Sequence, residues 1–412
     1  MDNPLRPLLA YQQKIFDRFK NSDELGLQMQ QRLGKTLVCC HWMKHRGYKN
    51  PLIAAPLSAR AEWLANIPNA NLITYQKISR NPALVDPKKY DCFIIDESSC
   101  IKSPRSNCTK AILKQAHRFL GRAILTGILV PEKIQDVYCQ LAFLKGGAFM
   151  GYGTFWGWQS KFFMQEGYDW HPMLGTLPLI KASVAEAMAI LSRKEADVGS
   201  IKERKIIEVP MSAGIREVYR TLPTKWRLPN GLETKFAPVA AIWLHRASGG
   251  HYKPNVIMEC AKYQAVLALA QEHKKLVVWC AYSLEILRLW RFLKEHGIDR
   301  TFIQGKTDKD VREKRRQLFF KAKRCVMIAQ PTCARFGLDL SAANNAVYLS
   351  CPWSYNTRMQ SEDRIIHPFK RGKVFIHDII MREAVDETIL TAVLNKQDAS
   401  RAVIGKGYVQ SF

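Results

Sequence analysis

The chain has 412 residues, which is too long for one ordinary domain and enough for two or three. Hydrophobic residues make up 47% of it, but no apolar run approaches the roughly 20 residues of a membrane span, which argues against a membrane partner. The formal net charge of +26 predicts a polyanionic partner, and nucleic acid is the polyanion that basic proteins readily bind.

The 11 cysteines are scattered and form no Cys-x-x-Cys pair. We therefore expect reduced thiols in place of a disulfide framework or a zinc site. The first residues lack the charged start and apolar stretch of a secretory signal, which predicts a cytoplasmic location.

Short apolar runs, separated by helix-length segments, are typical of buried parallel strands that helices cover on both faces. Seven such runs predict strands: Pro51–Pro56, Tyr90–Ile95, Ala123–Thr126, Lys275–Cys280, Cys325–Ala329, Ala346–Ser350 and Lys373–Asp378. The series occurs twice, with a gap from about 145 to 250. We therefore predict a first α/β lobe over 1–205, a connector over 206–250 and a second α/β lobe over 251–412.

A phosphate-binding loop is predicted at Gly34-Lys-Thr36, directly before the helix-like run Leu37–Lys44. Backbone N–H groups at a helix start can cradle phosphate oxygens, and Gly34 allows close approach. In such a loop Lys35 reaches the β- and γ-phosphates and the Thr36 hydroxyl binds Mg²⁺. The usual first glycine of the loop is replaced by Met29.

Two carboxylates, Asp96 and Glu97, follow the apolar run that starts at Cys92. A carboxylate at the C-terminal end of a strand beside a phosphate loop can hold magnesium and orient the attacking water. We assign Asp96 to Mg²⁺ and Glu97 to activation of the water. The alternative is an acidic turn with no catalytic role.

A segment rich in glycine and aromatic residues lies near 145–165. It can be a loop that stacks on nucleic-acid bases, or a segment that packs its aromatic rings onto the first lobe. We favour packing, because most aromatic side chains are buried.

The run Val311–Arg324 is strongly basic and helix-like. Its cations, Arg315 and Arg316 among them, either lie near nucleic-acid phosphates or form a solvated helix face. In both cases we expect Phe319 or Phe320 to be buried.

With these residues in place, the chain resembles superfamily 2 helicases, closest to their Swi/Snf-related branch and to the short versions that bacteriophages encode. The resemblance covers nearly the whole chain and rests on motifs in the family's order. They are Leu9–Gln12, Gly34–Thr36, Ala54–Pro56 with Trp63, Asp96–Lys102, Leu125–Gly127, Arg193–Val198, Val277–Tyr282, Phe336–Ala343 and Gln360–Arg364.

This resemblance implies two RecA-like lobes with a nucleotide site in the cleft between them, ATP and Mg²⁺ as cofactors, and DNA, duplex or branched, as partner. Arg364 would act as an arginine finger. The implied ATP contacts are Gln12 on adenine, then Arg32, Leu33, Gly34, Lys35, Thr36, Leu37, Gly337 and Asp339. The implied nucleic-acid contacts are Pro56, Arg60 and Lys102, with Arg315 and Arg316. Replication or recombination proteins would be further partners, and the host cytoplasm the location of a phage-encoded chain.

Three departures from the family pattern bear on catalysis. Asp96-Glu97 is followed by two serines, so a coupling histidine is absent. Thr126-Gly127 continues with Ile128-Leu129 in place of Thr-Pro, and His367 stands where the family has a second arginine, which Lys370 or Arg371 would have to replace.

Two functions remain open at this point. The first is an ATP-driven DNA helicase or translocase; the second is a degenerate helicase-like protein that binds nucleic acid with weak or no ATPase activity. An RNA helicase ranks last, because Leu338–Ala343 resembles the motif of DNA translocases.

Overall fold

The computed structural model describes residues 5–253, 256–336, 338–367 and 370–404. The chain forms two compact units that meet in sequence between Val198 and Gly199. Each unit is built on its own six-stranded sheet, and all neighbouring strands in both sheets are parallel. The predicted pair of α/β lobes with parallel sheets is therefore confirmed.

The first unit has the strand order β3-β2-β4-β5-β1-β8, with a separate β6–β7 hairpin. Its strands are β1 (Glu24–Met29), β2 (Pro51–Ala54), β3 (Asn71–Ile73), β4 (Cys92–Asp96), β5 (Gly121–Thr126), β6 (Phe163–Glu166), β7 (Asp169–Pro172) and β8 (Met188–Leu191). Its helices are α1 (Ala10–Phe19), α2 (Lys35–Arg46), α3 (Arg60–Asn66), α4 (Tyr75–Arg80), α5 (Asn107–Gln115), α6 (Val137–Leu144), α7 (Phe155–Phe162) and α8 (Thr176–Ala187). Short 3₁₀ turns lie at Leu57–Ala59, Pro82–Leu84, Ser98–Ile101, Ala116–Arg118 and Ile134–Asp136.

Strand β1 separates two buried clusters in the first unit. Its alternate residues Leu25, Leu27 and Met29 pack with α2 in one cluster. On the other side a side chain at Gly26 would lie 2.4 Å from the carbonyl O of Ala187, so the glycine lets the end of α8 approach the strand. The strand that leads into the phosphate loop is thus covered on both faces.

The aromatic segment near 145–165 packs onto the first unit, as predicted. Phe149, Phe155, Trp158 and Phe163 are all buried in one core cluster. The Tyr138 ring on α6 lies 5.3 Å from the ring of Trp158. These rings are therefore core side chains and not a base-stacking loop.

The second unit has the strand order β13-β14-β12-β15-β16-β9. Its strands are β9 (Ile201–Val209), β10 (His251–Lys253), β11 (Val256–Ile257), β12 (Lys275–Trp279), β13 (Arg300–Ile303), β14 (Cys325–Ala329), β15 (Asn345–Tyr348) and β16 (Lys373–Met381). Its helices are α9 (Ala213–Lys225), α10 (Ala237–Ser248), α11 (Lys262–Glu272), α12 (Ser283–Glu295), α13 (Lys309–Lys321), α14 (Tyr355–Glu362) and α15 (Val385–Ile404). Two 3₁₀ turns lie at Pro331–Phe336 and Asp363–Ile365.

The predicted domain boundaries need correction. The first lobe was expected to end at 205, but this position lies inside β9, which pairs with β16 along its whole length. Residues 206–250, expected as a connector, hold the end of β9 and helices α9 and α10, whose side chains Val218 and Leu222 are fully buried. Strand β9 contains no continuous apolar run, because it is a charged edge strand that is mostly not buried, and the apolar pattern therefore did not predict it.

Each of the seven apolar runs overlaps a strand of one of the two sheets. Over the described part of the chain, none of the helices combines the length and the apolarity that a membrane crossing requires.

Candidate functional site

The phosphate loop connects β1 to α2. Arg32 (φ +67°) and Gly34 (φ +81°) both have left-handed backbones, which turn the chain sharply before the helix begins at Lys35. No side chain caps the start of α2. Its first N–H groups are therefore available to an anion such as a phosphate.

Lys35 folds back over its own loop. Its Nζ donates to the carbonyl O of Met29 at 2.8 Å and to that of Gln30 at 3.5 Å. The Met29 side chain is fully buried in the core of the unit, and only its backbone takes part in the loop. The residue that replaces the usual glycine therefore does not prevent a compact loop.

Gln12 supports the same loop from α1. Its Nε2 donates to the carbonyl O of Leu33 at 2.9 Å, and its Oε1 accepts from the Leu9 backbone N–H at 2.9 Å. A Cβ on Gly34 would lie 2.3 Å from the Gln12 Nε2. Gln12 therefore fixes the loop backbone, while its contact with adenine stays a prediction.

The remaining predicted loop contacts differ in exposure. The Leu33 side chain is fully buried, so only its backbone can face a ligand, and the hydroxyl-bearing Thr36 is 6% exposed. Arg32 and Leu37 are both half-buried.

Arg193 is a loop contact for which sequence reasoning gave no specific role. Its backbone N–H donates to the Gln30 Oε1 at 2.8 Å, and its Nη1 donates to the Gln31 carbonyl O at 3.3 Å. The Gln30 N–H in turn donates to the Leu191 carbonyl O at 3.2 Å. The segment that follows β8 thus holds the far side of the phosphate loop.

The two carboxylates stand at the C-terminal end of β4. The Trp63 Nε1 donates to the Asp96 Oδ2 at 2.8 Å. Burial raises the pKa of Asp96 to about 6, while the Trp63 hydrogen bond and the positive charge of Lys35 act in the opposite direction. Asp96 and Lys35 are therefore close enough to interact, as the order of the motifs predicts.

Glu97 adopts a left-handed backbone (φ +61°), which is uncommon for a residue with a side chain. Its Oε1 accepts from the Ser99 Oγ at 3.0 Å. The left-handed backbone turns the chain away from the direction of β4 at Glu97, and backbone strain of this kind clusters at functional sites.

The donors at this end of the sheet fit magnesium bound together with a nucleotide. Asp96 and Thr36 offer hard oxygen atoms, and Mg²⁺ is usually held by one or two carboxylates plus substrate phosphates and water. Among the residues described, His, Cys, Asp and Glu form no group of three or more that could hold a metal ion without such a substrate.

The turn after β5 carries the departure Ile128-Leu129. The Thr126 Oγ1 accepts from the Ile128 N–H at 3.1 Å and donates to the Ile128 carbonyl O at 2.8 Å. Ile128, Leu129 and Val130 are all buried. The two unusual residues therefore serve as core side chains while Thr126 closes the turn.

The predicted nucleic-acid contacts of the first unit lie at three places in the chain. Pro56 precedes the 3₁₀ turn Leu57–Ala59, and Arg60 is exposed at the start of α3. The Lys102 Nζ lies 3.7 Å from the buried carboxylate of Asp136. Lys102 is thus partly engaged within its own unit.

In the second unit, the segments of Asp339 and Arg364 lie side by side. The Leu340 N–H donates to the Arg364 carbonyl O at 2.9 Å, and the Asp339 Oδ1 accepts from the Ser341 N–H at 3.1 Å. Gly337, also predicted to contact ATP, lies outside the described residues. Sequence motifs that are 25 residues apart therefore meet at one place, and their contact with ATP stays a prediction.

A buried ion cluster holds the segment that leads into Arg364. Its cations are Lys202, Arg204 and Arg358, and its anions are Glu362, Asp363 and Asp378. Burial would raise the pKa of Glu362, but its three cationic neighbours outweigh it and hold the pKa far below the usual value. The cluster joins β9, β16 and α14 and includes the residue directly before Arg364.

Lys370 is engaged with the backbone near the same arginine. Its Nζ donates to the carbonyl O atoms of Ser341 at 2.8 Å, Ala343 at 2.5 Å and Ile365 at 3.4 Å. Lys370 therefore holds the loop together in this structure and does not stand in for the arginine that His367 replaces.

The basic helix α13 uses both predicted arginines internally. The Arg315 Nη1 donates to the Phe302 carbonyl O at 2.9 Å, and Arg316 forms two hydrogen bonds with Glu313. Phe319 is fully buried, as predicted. Contact of the two arginines with phosphates stays a prediction.

Comparisons with known proteins give two family matches. A family model described as an SNF2-related domain matches residues 33–275, and one described as a helicase conserved C-terminal domain matches residues 260–368. Relatives include the SWI/SNF-related matrix-associated actin-dependent regulator of chromatin subfamily A-like protein 1 of Xenopus laevis, 22% identical over 91% of this chain and 41% of the relative. An uncharacterized ATP-dependent helicase of Mycoplasma pneumoniae is 21% identical over 83% of this chain and 33% of its own length.

The chain thus spans about two fifths of the length of the Xenopus relative. Among solved structures, the SWI2/SNF2 ATPase core of Sulfolobus solfataricus in complex with dsDNA is 17% identical, covers 98% of this chain and 94% of its own, and has a TM-score of 0.42. Because the SNF2-related model matches more than half of the chain, the protein belongs to the SNF2-related family.

Proposed function

We propose that the protein is an ATP-dependent DNA translocase, which couples ATP hydrolysis to movement on duplex or branched DNA. One observation carries the proposal: the uncapped start of α2, with Lys35, lies beside the strand end that carries Asp96 and Glu97. A phosphate cradle next to a magnesium ligand is the minimum arrangement for nucleotide hydrolysis.

Each residue then has a distinct task. The N–H groups at the start of α2 bind phosphate oxygens, and Lys35 exchanges the carbonyl O of Met29 for a phosphate oxygen. Bound Mg²⁺ would neutralise charge on the phosphates, with Asp96 and Thr36 as its protein ligands. Glu97 orients the attacking water, and Arg364 stabilises the charge that develops on the transferred phosphate.

DNA as the substrate is supported by charge and by family. The excess of 26 positive charges favours a polyanion, and the family model that matches residues 260–368 describes a helicase domain. We further propose that the chain acts in replication, recombination or repair, with proteins of those processes as partners, in the cytoplasm of a host cell if a phage encodes it.

The test is the steady-state ATPase rate of the whole chain without DNA and with single-stranded, duplex or branched oligonucleotides. Lys35→Ala is the reference for background hydrolysis. We expect DNA to stimulate the native chain and leave Lys35→Ala at background, and Glu97→Gln to keep ATP binding while losing hydrolysis.

The alternative is a helicase-like protein that binds nucleic acid without a motor activity, and the altered residues Ile128, Leu129 and His367 motivate it. The same assay separates the two functions. A native chain no faster than Lys35→Ala on every DNA would establish the alternative and reject the translocase.

A further inference from the structure

A chain of buried hydrogen bonds begins next to Glu97. The Ser98 Oγ donates to the Gln140 Oε1 at 2.6 Å, and the Gln140 Nε2 donates to the carbonyl O atoms of Leu129 and Asp136, both at 2.7 Å. Ser98, Gln140 and Leu129 are all 0% exposed. Gln140 thus uses both amide hydrogens and its oxygen: two of the three bonds reach other segments, at Ser98 and Leu129, and the third reaches Asp136, the residue that precedes its own helix.

Gln140 is an unusual residue for its position. All eight residues of α6 are buried, and the others are apolar or aromatic apart from Cys139. An amide in such a place is unfavourable unless it is fully hydrogen-bonded, and an aliphatic side chain would pack there without that requirement. Packing alone therefore does not explain an amide side chain at position 140.

One end of this series of hydrogen bonds lies beside the predicted nucleotide site. Glu97 has a left-handed backbone, and the residue directly after it, Ser98, points into the protein to reach Gln140. A shift of Glu97 on binding or hydrolysis of ATP would move Ser98, and the short, fully buried contact would pass that shift to Gln140.

The other end reaches the predicted DNA contacts. Gln140 holds the backbone of Asp136, whose carboxylate pairs with Lys102 at 3.7 Å and accepts from the backbone N–H groups of Glu132 and Lys133. It also holds Leu129 in the turn that Thr126 closes. A movement of Lys102 on binding DNA would thus reach the carboxylates through Asp136, Gln140 and Ser98.

We propose that Gln140 is a positioning residue that couples DNA binding to ATP hydrolysis, through Ser98 on one side and the Asp136 and Leu129 backbones on the other. The inference rests on the proposed ATPase function. Gln140 touches neither ATP nor DNA in this scheme, so its loss affects the stimulation by DNA and leaves the unstimulated rate alone.

The test compares Gln140→Leu with the native chain, with and without duplex DNA. Coupling between two sites is commonly worth about 5- to 150-fold, so we expect the DNA-stimulated rate to fall by that factor toward the unstimulated rate. The unstimulated rate, the KM for ATP and the affinity for DNA should stay within about twofold of native, since no ligand contact is removed.

Two further variants separate coupling from a general loss of packing. Gln135→Leu is the matched control, because Gln135 is also buried, next to α6, but donates to the Trp170 carbonyl O away from the carboxylates. It should keep full stimulation. Ser98→Ala breaks only the first bond and should lower stimulation by itself, and adding Gln140→Leu to it should cause little further loss.

The outcomes are distinct. A native chain no faster than Lys35→Ala overturns the proposed function and the coupling role with it. A native chain that DNA stimulates, beside a Gln140→Leu chain stimulated equally well, overturns the coupling role alone. If Gln140→Leu does not fold, Ser98→Ala decides: full stimulation in that variant overturns the coupling role as well.

Discussion

Substitution of Arg358 tests the buried ion cluster of the second unit, which holds the segment leading into Arg364. The Arg358 side chain is 1% exposed and lies between two buried carboxylates. The Nε is 2.7 Å from the Glu362 Oε1, the Nη1 is 2.7 Å from the Asp378 Oδ1, and the guanidinium carbon lies 3.4 Å from the ring centroid of Tyr348. Arg358→Met keeps the aliphatic stem and removes the charge with its hydrogen bonds.

The loss should be large, because two buried carboxylates lose a cation. Removing one member of a buried pair typically costs about 3–5 kcal/mol. Arg204 still pairs with both carboxylates in the variant, and Lys202 with Glu362, so we expect the lower end of that range, about 3 kcal/mol.

Amide hydrogen exchange on peptides from β9 and β16 measures this quantity, because it follows the second unit without assuming that both units unfold together. The matched control is Arg382→Met. Arg382 pairs with Glu208 at 2.6 Å beside the same two strands, but it is 74% exposed, so its loss should cost less than about 1 kcal/mol. An Arg358→Met chain whose β9 and β16 amides are destabilised no more than in the control would refute the reasoning.

Three further outcomes are expected. Gly34→Ala places a side chain on a left-handed backbone, which costs about 1–2 kcal/mol, and its Cβ would lie 2.3 Å from the Gln12 amide nitrogen. Titration with a fluorescent ATP analogue should show about tenfold weaker binding, and unchanged binding would contradict this expectation. Lys370→Met should lower the hydrolysis rate about tenfold at unchanged ATP affinity, with recovery in Lys370→Arg, because Lys370 bonds backbone carbonyls around Arg364; a steady-state ATPase assay that gives the native kcat would contradict it. Acid should destabilise the second unit, because burial lowers the pKa of three of its histidines to about 4. The stability that their neutral form contributes is present above pH 6.5 and is lost as the pH falls toward 4, by up to about 3 kcal/mol for each histidine. Those histidines are His245, His251 and His377, and exchange rates of second-unit amides that do not rise between pH 7 and pH 5, after correction for intrinsic exchange, would contradict it.

Glu285 has the opposite effect on stability. Burial raises the pKa of Glu285 to about 7, so the stability from its protonated form is present below about pH 4.5 and lost as the pH rises through 7. One carboxyl offsets only part of the effect of three imidazoles. The net direction is therefore a loss of stability on acidification.

The parallel strands could be predicted where they are buried on both faces, because such strands are continuous apolar runs. Strands that break this pattern escaped prediction. In β1, Gly26 and Gln28 interrupt the run, although every residue after Glu24 is buried. In β9, charged residues pair with β16 and with the buried ion cluster, so their role is visible only once both strands are placed.

The candidate site was predictable where chemistry fixes the residue type. Lys35 and Asp96 belong to patterns that phosphate and magnesium require, and the structure brings them together. Arg193 and Gln140 act through backbone carbonyls of distant segments, and a contact with a carbonyl imposes no pattern on the sequence.

The departures from the family pattern are informative about the choice between an enzyme and a degenerate relative. A loop that no longer binds nucleotide has no need to keep its backbone organised, yet here Gln12, Arg193 and Lys35 each bond a different carbonyl of the loop. The substituted side chains of Met29 and Leu129 are buried in the core, where they stabilise the unit without entering the site. Substitutions of this kind change what packs behind the catalytic groups and leave the groups themselves in place. Because decay of a site removes the catalytic residues as readily as their supports, the joint retention of Lys35, Asp96 and this bonded loop favours the translocase.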